Sequence, residues 1–387
     1  MSNTRARTAL ISGASVAGLT TAYWLARYGF RVTVVERAST LRPGGQALDV
    51  RGPALEVARR MGILNLLRDH STNLRGMSIV DDTGNEVHRT TERTLTGGRL
   101  ESDDVEILRD DLVEILYAAV GEDVSFLFDD TILGLHQNTQ GVEVMFERAA
   151  SSRFDFVVGA DGSHSRVRRL VFGPERPLRR YMGDYVAVMT IPNFTGLDRW
   201  QTFLMSDGAG AGLIGPSSDH DARAYLGFSS DEEIEYDYHD VDGQKQLLAE
   251  RLSGLGWVVP QIIEHMRTAS SFHFDARFQV IMEHWTRGAV ALVGDAGYAV
   301  SLTTGQGTSM AMVGAYVLAG ELAASVDDLE AGARRYEDTL RDYVLQNQAA
   351  ARELNERDTS NAGPGDFADF GELVQQFQLT DYQASPR

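Results

Sequence analysis

The hexapeptide Gly13-Ala14-Ser15-Val16-Ala17-Gly18 constrains this chain more than any other stretch. Thr8 to Ser12 ahead of it is a short apolar run that predicts a buried strand. Val16 to Tyr28 carries apolar residues at helical spacing, and Gly29 stands where a helix end wants a residue at positive φ. Arg31 to Val35 is rich in β-branched residues and ends at Glu36. Together these predict one βαβ unit whose helix opens on a glycine turn. Gly13 and Gly18 let the backbone approach a phosphate closely, and a helix N-terminus offers free N–H groups and a positive dipole to hold it. Glu36 lies 18 residues past Gly18, close to where an acid meets a ribose hydroxyl in dinucleotide sites. Ser15 replaces the usual middle glycine, which its side chain permits at negative φ, and its hydroxyl adds a donor. Arg5 and Arg7 precede an uncharged run to Ala26, as in a secretory leader. Gly13 and Gly18 interrupt that run, however, and it leads into a strand ending in an acid.

A length of 387 residues with 43% hydrophobic content allows two domains, or one large domain with an insertion. The chain has no cysteine, which excludes disulfides, thiolate metal sites and cysteine nucleophiles and suits the cytoplasm. Its net charge of −19 argues against nucleic acid or an anionic membrane as a partner. Lys245 is the only lysine, so Schiff-base chemistry is almost eliminated. Ala296 to Gly320 is uncharged and long enough to span a membrane, but its Gly, Ser and Thr content and the preceding Gly294-Asp295 favour a buried soluble helix. No His, Asp and Glu set has metal-ligand spacing, and His164 and His273 read as surface or internally satisfied side chains.

Strands are expected at Met77 to Val80 and Glu86 to Arg89, joined by a hairpin turn, with a helix from Asp110 to Val120. Two short strands follow, near Thr131 to His136 and Val142 to Glu147. Phe154 to Val158 then runs into Gly159-Ala160-Asp161-Gly162. Tyr181 to Phe228 is strand-like, and Gly208 to Gly212 within it reads as a hairpin turn. Helices are expected at Gln244 to Leu252, Pro260 to Met266, Met310 to Ala324 and Leu329 to Arg357, with a last short one at 367–377. Val290 to Val293 is a buried strand leading into Gly294-Asp295. The expected fold is α/β: a Rossmann-like nucleotide-binding domain with an inserted β-rich domain and C-terminal helices.

The order and separation of the Gly13–Gly18 turn, Asp161-Gly162 and Gly294-Asp295 resemble class A FAD-dependent monooxygenases, the group with the p-hydroxybenzoate hydroxylase fold. The resemblance covers roughly residues 8–355. It makes the parts of the fold a Rossmann-like FAD-binding domain at 1–75, 100–178 and 278–327, a β-rich substrate domain at 76–99 and 179–277, and a helical segment at 328–387. Gly44-Gly45-Gln46-Ala47-Leu48-Asp49 with Arg51-Gly52 makes the chain most similar to the compact tetracycline-inactivating and actinobacterial tailoring types. It implies that Gly13, Ser15, Val16, Ala17 and Gly18 face the FAD pyrophosphate, with Glu36 and Arg37 at the adenosine. Gly45, Gln46 and Arg109 (in Arg-x-x-Leu) would lie beside the flavin, and Asp161 and Gly162, with Ser165 and Arg168, would serve FAD binding and its reduction. Gly294 and Asp295 would hold the ribitol, while Gly305, Gln306 and Gly307 present backbone N–H groups and a helix N-terminus to the pyrimidine edge. Arg109, Gln46 and Asp49 are the candidate catalytic groups. Met189, Phe203, Met205, Leu213 and Tyr225 are the candidate substrate wall, although Phe203 and Met205 also suit a plain sheet core.

The implied activity consumes NADPH or NADH and O2. It hydroxylates, or inserts oxygen into, an apolar aromatic or polycyclic small molecule through a flavin C4a-hydroperoxide, in natural-product biosynthesis or antibiotic modification. The cofactor carries that chemistry, so no acid–base dyad is required of the protein. A monomer or homodimer, cytoplasmic and without stable membrane association, is expected. One departure stands out: the family's proline seven residues past the acid of Gly294-Asp295 is Leu302 here, and the frequent histidine three past it is Tyr298. That departure motivates an oxygen-free alternative on the same fold, a flavin oxidase, dehydrogenase or redox-neutral cyclase. A non-enzymatic nucleotide-binding protein is a third reading.

Overall fold

The computed structural model describes residues 6–95, 98–216, 221–301, 304–356 and 377–382. Its central sheet has six strands in the order Thr286–Arg287, Val290–Leu292, Phe156–Gly159, Thr8–Ser12, Arg31–Glu36 and Val124–Phe128. All neighbours run parallel except the first pair. Parallel strands covered on both faces read as continuous apolar runs, and Thr8–Ser12, Phe156–Gly159 and Val290–Leu292 are buried along nearly their whole length. One face is covered by the helices Val16–Arg27, Arg109–Val120 and Gly307–Ala324; a three-stranded sheet, Ile132–Asn138, Gly141–Phe146 and Ser152–Phe154, packs against the other. The glycine turn behaves as its residue types require. Gly13 sits at φ +106°, Ser15 at −118° and Gly29 at +88°.

A second sheet has seven strands: Phe272–Val280, Arg179–Ile191, Ala222–Ser229, Ala209–Gly215, Trp200–Ser206, Met77–Val80 and Glu86–Thr90. It is antiparallel apart from Trp200–Ser206 beside Met77–Val80. Two segments more than a hundred residues apart thus share one sheet. The expected hairpin turn at Gly208 to Gly212 is corrected: only Gly208 belongs to the turn, and Ala209 onward is strand. Without bulky side chains this stretch lacks the alternation that marks a strand in sequence. A two-stranded ribbon, Ala47–Val50 with Val105–Leu108, sits between the sheets.

Gly307–Ala324 is uncharged until Glu321 and buried on almost every side, because helices pack around it rather than along one stripe. Its glycines admit neighbours: a Cβ on Gly314 would lie 1.9 Å from Tyr298 Oη, and one on Gly320 would lie 2.2 Å from the Tyr382 ring. The long helix Leu329–Asn355 packs beside it. The segment 377–382 lies across these helices, with Tyr316 OH donating to Thr380 O at 2.8 Å and Tyr382 OH to Glu321 at 2.7 Å. Among the described residues no helix is long and apolar enough to cross a membrane. Of the short helix expected at 367–377, residues 367–376 lie outside the described residues, and Phe377 is not helical.

Gly314→Ala tests this packing. The methyl group would press on a Tyr298 hydroxyl that is held by Tyr336 at 3.1 Å. A loss of roughly 1–3 kcal/mol is expected, read as a lower thermal midpoint; an unchanged midpoint would show that Tyr298 moves freely.

Candidate active site

Three neighbouring parallel strands, Thr8–Ser12, Phe156–Gly159 and Val290–Leu292, end at one edge of the central sheet. Their continuations are Gly13–Gly18, Ala160–Gly162 and Gly294–Asp295, so motifs separated by some 280 residues become neighbours. They meet closely: a Cβ on Gly13 would lie 2.5 Å from Ala160 O, one on Gly18 1.9 Å from Gly13 O, and one on Gly294 3.1 Å from the Ala17 side chain. Only bare backbone fits at these contacts. The helix Val16–Arg27 begins with no side-chain cap, which leaves its first N–H groups toward a large cavity lined by Ser15, Val16 and Ala17. Glu36 braces the turn, accepting from Ala14 N at 2.8 Å and Ala38 N at 2.9 Å. Arg37 is exposed.

Asp161 works inside the protein. It accepts from Arg166 N at 2.8 Å, from Val167 N at 3.1 Å and from Ser165 Oγ, and so fixes the start of helix Arg166–Phe172. Burial raises its pKa against those donors. Gly162 adopts φ +80° and lines the cavity. Arg168 is fully buried; its guanidinium donates to Ala296 O at 2.8 Å and so ties the second motif to the third.

Asp295 is exposed, but into the cavity rather than to bulk water. Enclosure raises its pKa, and its carboxylate has no hydrogen-bond partner among the described residues. Gly305 and Gly307 line the same space, where helix Gly307–Ala324 begins. Gln306 is completely buried, and both amide atoms lack partners among the described residues. Asp49 pairs with Arg51 at 3.0 Å, yet burial holds its carboxyl well above the usual range and leaves Oδ1 unpartnered. Arg109 donates to Ser15 Oγ at 3.2 Å and to Arg42 O at 3.2 Å, and makes no ion pair with the described carboxylates. A Cβ on Gly45 would meet its side chain at 2.7 Å. The loop carrying Gln46 is pinned from the second sheet: Arg223 donates to Gly45 O at 3.0 Å and to Asp110, and Tyr225 OH accepts from Ala47 N at 2.9 Å.

The cavity measures about 1420 Å³ and runs from these motifs to the face of the seven-stranded sheet. Phe203, Met205 and Tyr225 line it, whereas Met189 and Leu213 are buried on the sheet and do not. Tyr298 points away, its ring tilted against Trp285 with centroids 4.8 Å apart. Leu302 lies outside the described residues. His273 faces the cavity, although in sequence it resembled any surface histidine. Arg223, Asp110 and Ser309 also shape the site, and no local sequence signal marks them, because each acts across the fold.

His164 is internally satisfied. Nδ1 lies 2.9 Å from Glu175 and Nε2 2.9 Å from Asp275, so both nitrogens donate and the ring is an imidazolium. Although burial opposes the charge, the two carboxylates raise its pKa to about 9. Among the described residues no His, Cys, Asp and Glu group is arranged to hold a metal ion.

The residues fit FAD on four structural counts. The turn is bare backbone, the helix N-terminus is uncapped, Asp295 is an unpartnered acceptor suited to hydroxyls, and the Gln306 amide is orphaned at a helix start. Comparison with known proteins agrees. The family model described as FAD binding domain matches residues 6–354. An uncharacterised protein of Mycobacterium tuberculosis is 48% identical over 97% of this chain and 100% of its own length. A flavin-dependent monooxygenase of Legionella longbeachae is 39% identical over 88% of this chain and 86% of its own. Among solved structures, tetracycline destructase Tet(51) superimposes with a TM-score of 0.86 at 31% identity, covering 98% of this chain and 100% of that one.

The His164 clamp yields a pH prediction. Its folded pKa, about 9, exceeds the ordinary 6.5, so its contribution is complete below pH 6.5 and lost as pH rises through about 9. Thermal midpoints measured across that window should show wild type most ahead of His164→Gln at low pH, with the gap closing toward pH 9. A constant gap would contradict the charged assignment.

Proposed function

We propose, from the premise that this chain belongs to the FAD-binding family of flavin-dependent monooxygenases, that it oxygenates a flat polycyclic small molecule using NADPH or NADH as transient reductant. The enzyme is an FAD-dependent monooxygenase, and its co-substrates are therefore a small molecule and O2. The observation that carries the substrate reading is the single cavity of about 1420 Å³ joining the three motifs to the second sheet. A drug-sized ligand needs roughly 300–1,000 Å³, which leaves room for a dinucleotide and a further ring system. FAD, when bound, supplies the electron transfer and the oxygen chemistry.

The chain's part is to bind, orient and exclude water. Val16, Ala17 and the turn glycines would offer N–H groups to the pyrophosphate, and Glu36 a carboxylate to the adenosine ribose. Asp295 would accept from ribitol hydroxyls. Gly305, Gln306 and Gly307 at the start of an 18-residue helix would place positive dipole where negative charge gathers on a reduced ring. Arg109 brings an unpaired cation to the same side, and Gln46 and Asp49 stand beside it. Phe203, Met205 and Tyr225 would form part of the substrate wall. By this reading 1–75, 100–178 and 278–327 serve FAD, and 76–99 with 179–277 serve the substrate. Likeness to tetracycline destructases supports a fused-ring substrate, in antibiotic modification or natural-product biosynthesis. The cysteine-free acidic composition supports a cytoplasmic place.

Purified protein loaded with FAD should oxidise NADPH or NADH faster when tetracycline or a polycyclic phenol is added, and the product should gain one oxygen atom by mass. A product without that oxygen would defeat the reading in favour of an oxidase or cyclase. Asp295→Ala should weaken FAD retention by about tenfold, the scale of a hydrogen bond to a charged group, while circular dichroism stays unchanged. Full flavin retention would remove Asp295 from the site.

A further inference from the structure

The cavity-facing side of the seven-stranded sheet forms two adjoining rows across the strands. One row runs His273, Val188, Tyr225, Gly212, Phe203; the next runs Asp275, Val186, Gly227, Gly210, Met205. Gly212 is roofed by Phe203, whose ring lies 2.2 Å from where a Cβ would stand. Gly210 and Gly227 face each other uncovered: the nearest atoms to their Cβ positions are backbone oxygens, at 3.2 Å and 3.1 Å. Along the second row, and at Val188 beside it, the wall is therefore a low apolar floor of Val188, Val186, Gly227 and Gly210, bordered by Tyr225, whose hydroxyl reaches up to Ala47 N. Such a floor suits the face of a fused aromatic system.

The floor ends at His273 and Asp275, which stand beside Val188 and Val186. Asp275 is committed, accepting from His164 Nε2 at 2.9 Å and from Tyr236 OH at 2.9 Å. His273 opens into the cavity and has no hydrogen bond among the described residues. The charged groups facing it are Asp275 on its own strand, His164 behind that carboxylate, and Arg42 and Arg109 from the loop and helix opposite. Burial and the three cations outweigh the single anion, so the imidazole is held below its ordinary pKa and stands neutral, able to accept.

We propose that His273 is a catalytic residue, the base that takes the proton of an acidic ring hydroxyl on a substrate lying on this floor. The idea rests on the monooxygenase reading above. In the step, the substrate O–H bond breaks and an N–H bond forms on the His273 ring. The electron pair stays on oxygen, and no redox change accompanies it. The resulting phenolate feeds charge to its ring carbons, which makes them better nucleophiles toward an electrophilic oxygen. Asp275 then faces an imidazolium, and Arg42 and Arg109 offset the phenolate. Proton return on product release restores the neutral histidine.

Umbelliferone is a flat fused-ring phenol whose neutral and ionised forms absorb at different wavelengths. With FAD-loaded wild type, the bound probe should be ionised at a pH where the free probe is neutral. In FAD-loaded His273→Gln, which can accept a hydrogen bond but not a proton, binding should persist and that ionisation should disappear. Gly210→Val, with His273 intact, should weaken probe binding by about tenfold or more by filling the floor. An ionised fraction unchanged in His273→Gln, binding unchanged in Gly210→Val, or no binding to wild type would each overturn the proposal. Flavin content and NADPH oxidation on the same samples separate the two readings: protein that retains no FAD sinks the underlying one, whereas FAD-loaded, NADPH-oxidising protein with an unaltered probe spectrum sinks only the role of His273.

Discussion

Close approach of bare backbone at the ends of three adjacent parallel strands governs this molecule. Gly13 and Gly18 cannot carry side chains without driving them into Ala160 or the turn itself, and Gly294, at φ +64°, holds a backbone conformation that side chains rarely adopt. Because the strands are neighbours, the three turns after them converge, and every ligand-facing group is placed relative to that convergence. Asp161 fixes the helix start after its own turn, and Arg168 ties that turn to the third, so these hydrogen bonds run inside the protein rather than into the cavity. The acid of the second motif is in this respect a fastening, and the acid of the third is the one left open.

Specific polar contacts join the second sheet to this centre, beside a hydrophobic core the two share. Arg223 and Tyr225 reach from it to the backbone of the Gly44–Ala47 loop. His164, from the second motif, reaches the other way to Asp275 on the strand Phe272–Val280. Directional bonds of this kind fix distance and angle between two layers where nonpolar packing alone would allow sliding.

How much of this is legible in sequence depends on whether the cause is local. The βαβ unit is legible because strand, glycine turn and helix each carry their own signal within thirty residues. The strands of the second sheet are legible where aromatic and β-branched residues alternate, as in Tyr181 to Ile191, and illegible at 209–212, where only Ala and Gly occur. The helix Pro53–Met61 carries a fainter local signal, Pro53 at its start and Gly62, at φ +77°, after its end. Arg223 and Asp110 are illegible because their meaning lies in pairings across more than sixty residues, and His273 because only the pairing of its strand with Arg179–Ile191 brings it to the cavity. Met189 and Leu213 show the same limit from the other side: strand alternation identifies an apolar face without saying whether it meets a cavity or a core.

Helix Gly307–Ala324 runs from the cavity to the segment 377–382, whose Phe377 also lines the cavity. One end opens on the cavity; near the other, Tyr316, Gly320 and Glu321 are gripped by the segment 377–382. Eighteen residues make a rod of about 27 Å. A buried rod transmits displacement rather than absorbing it, because close-packed interiors have low compressibility. The segment 377–382 thus fastens the far half of a rod whose first residue faces the cavity.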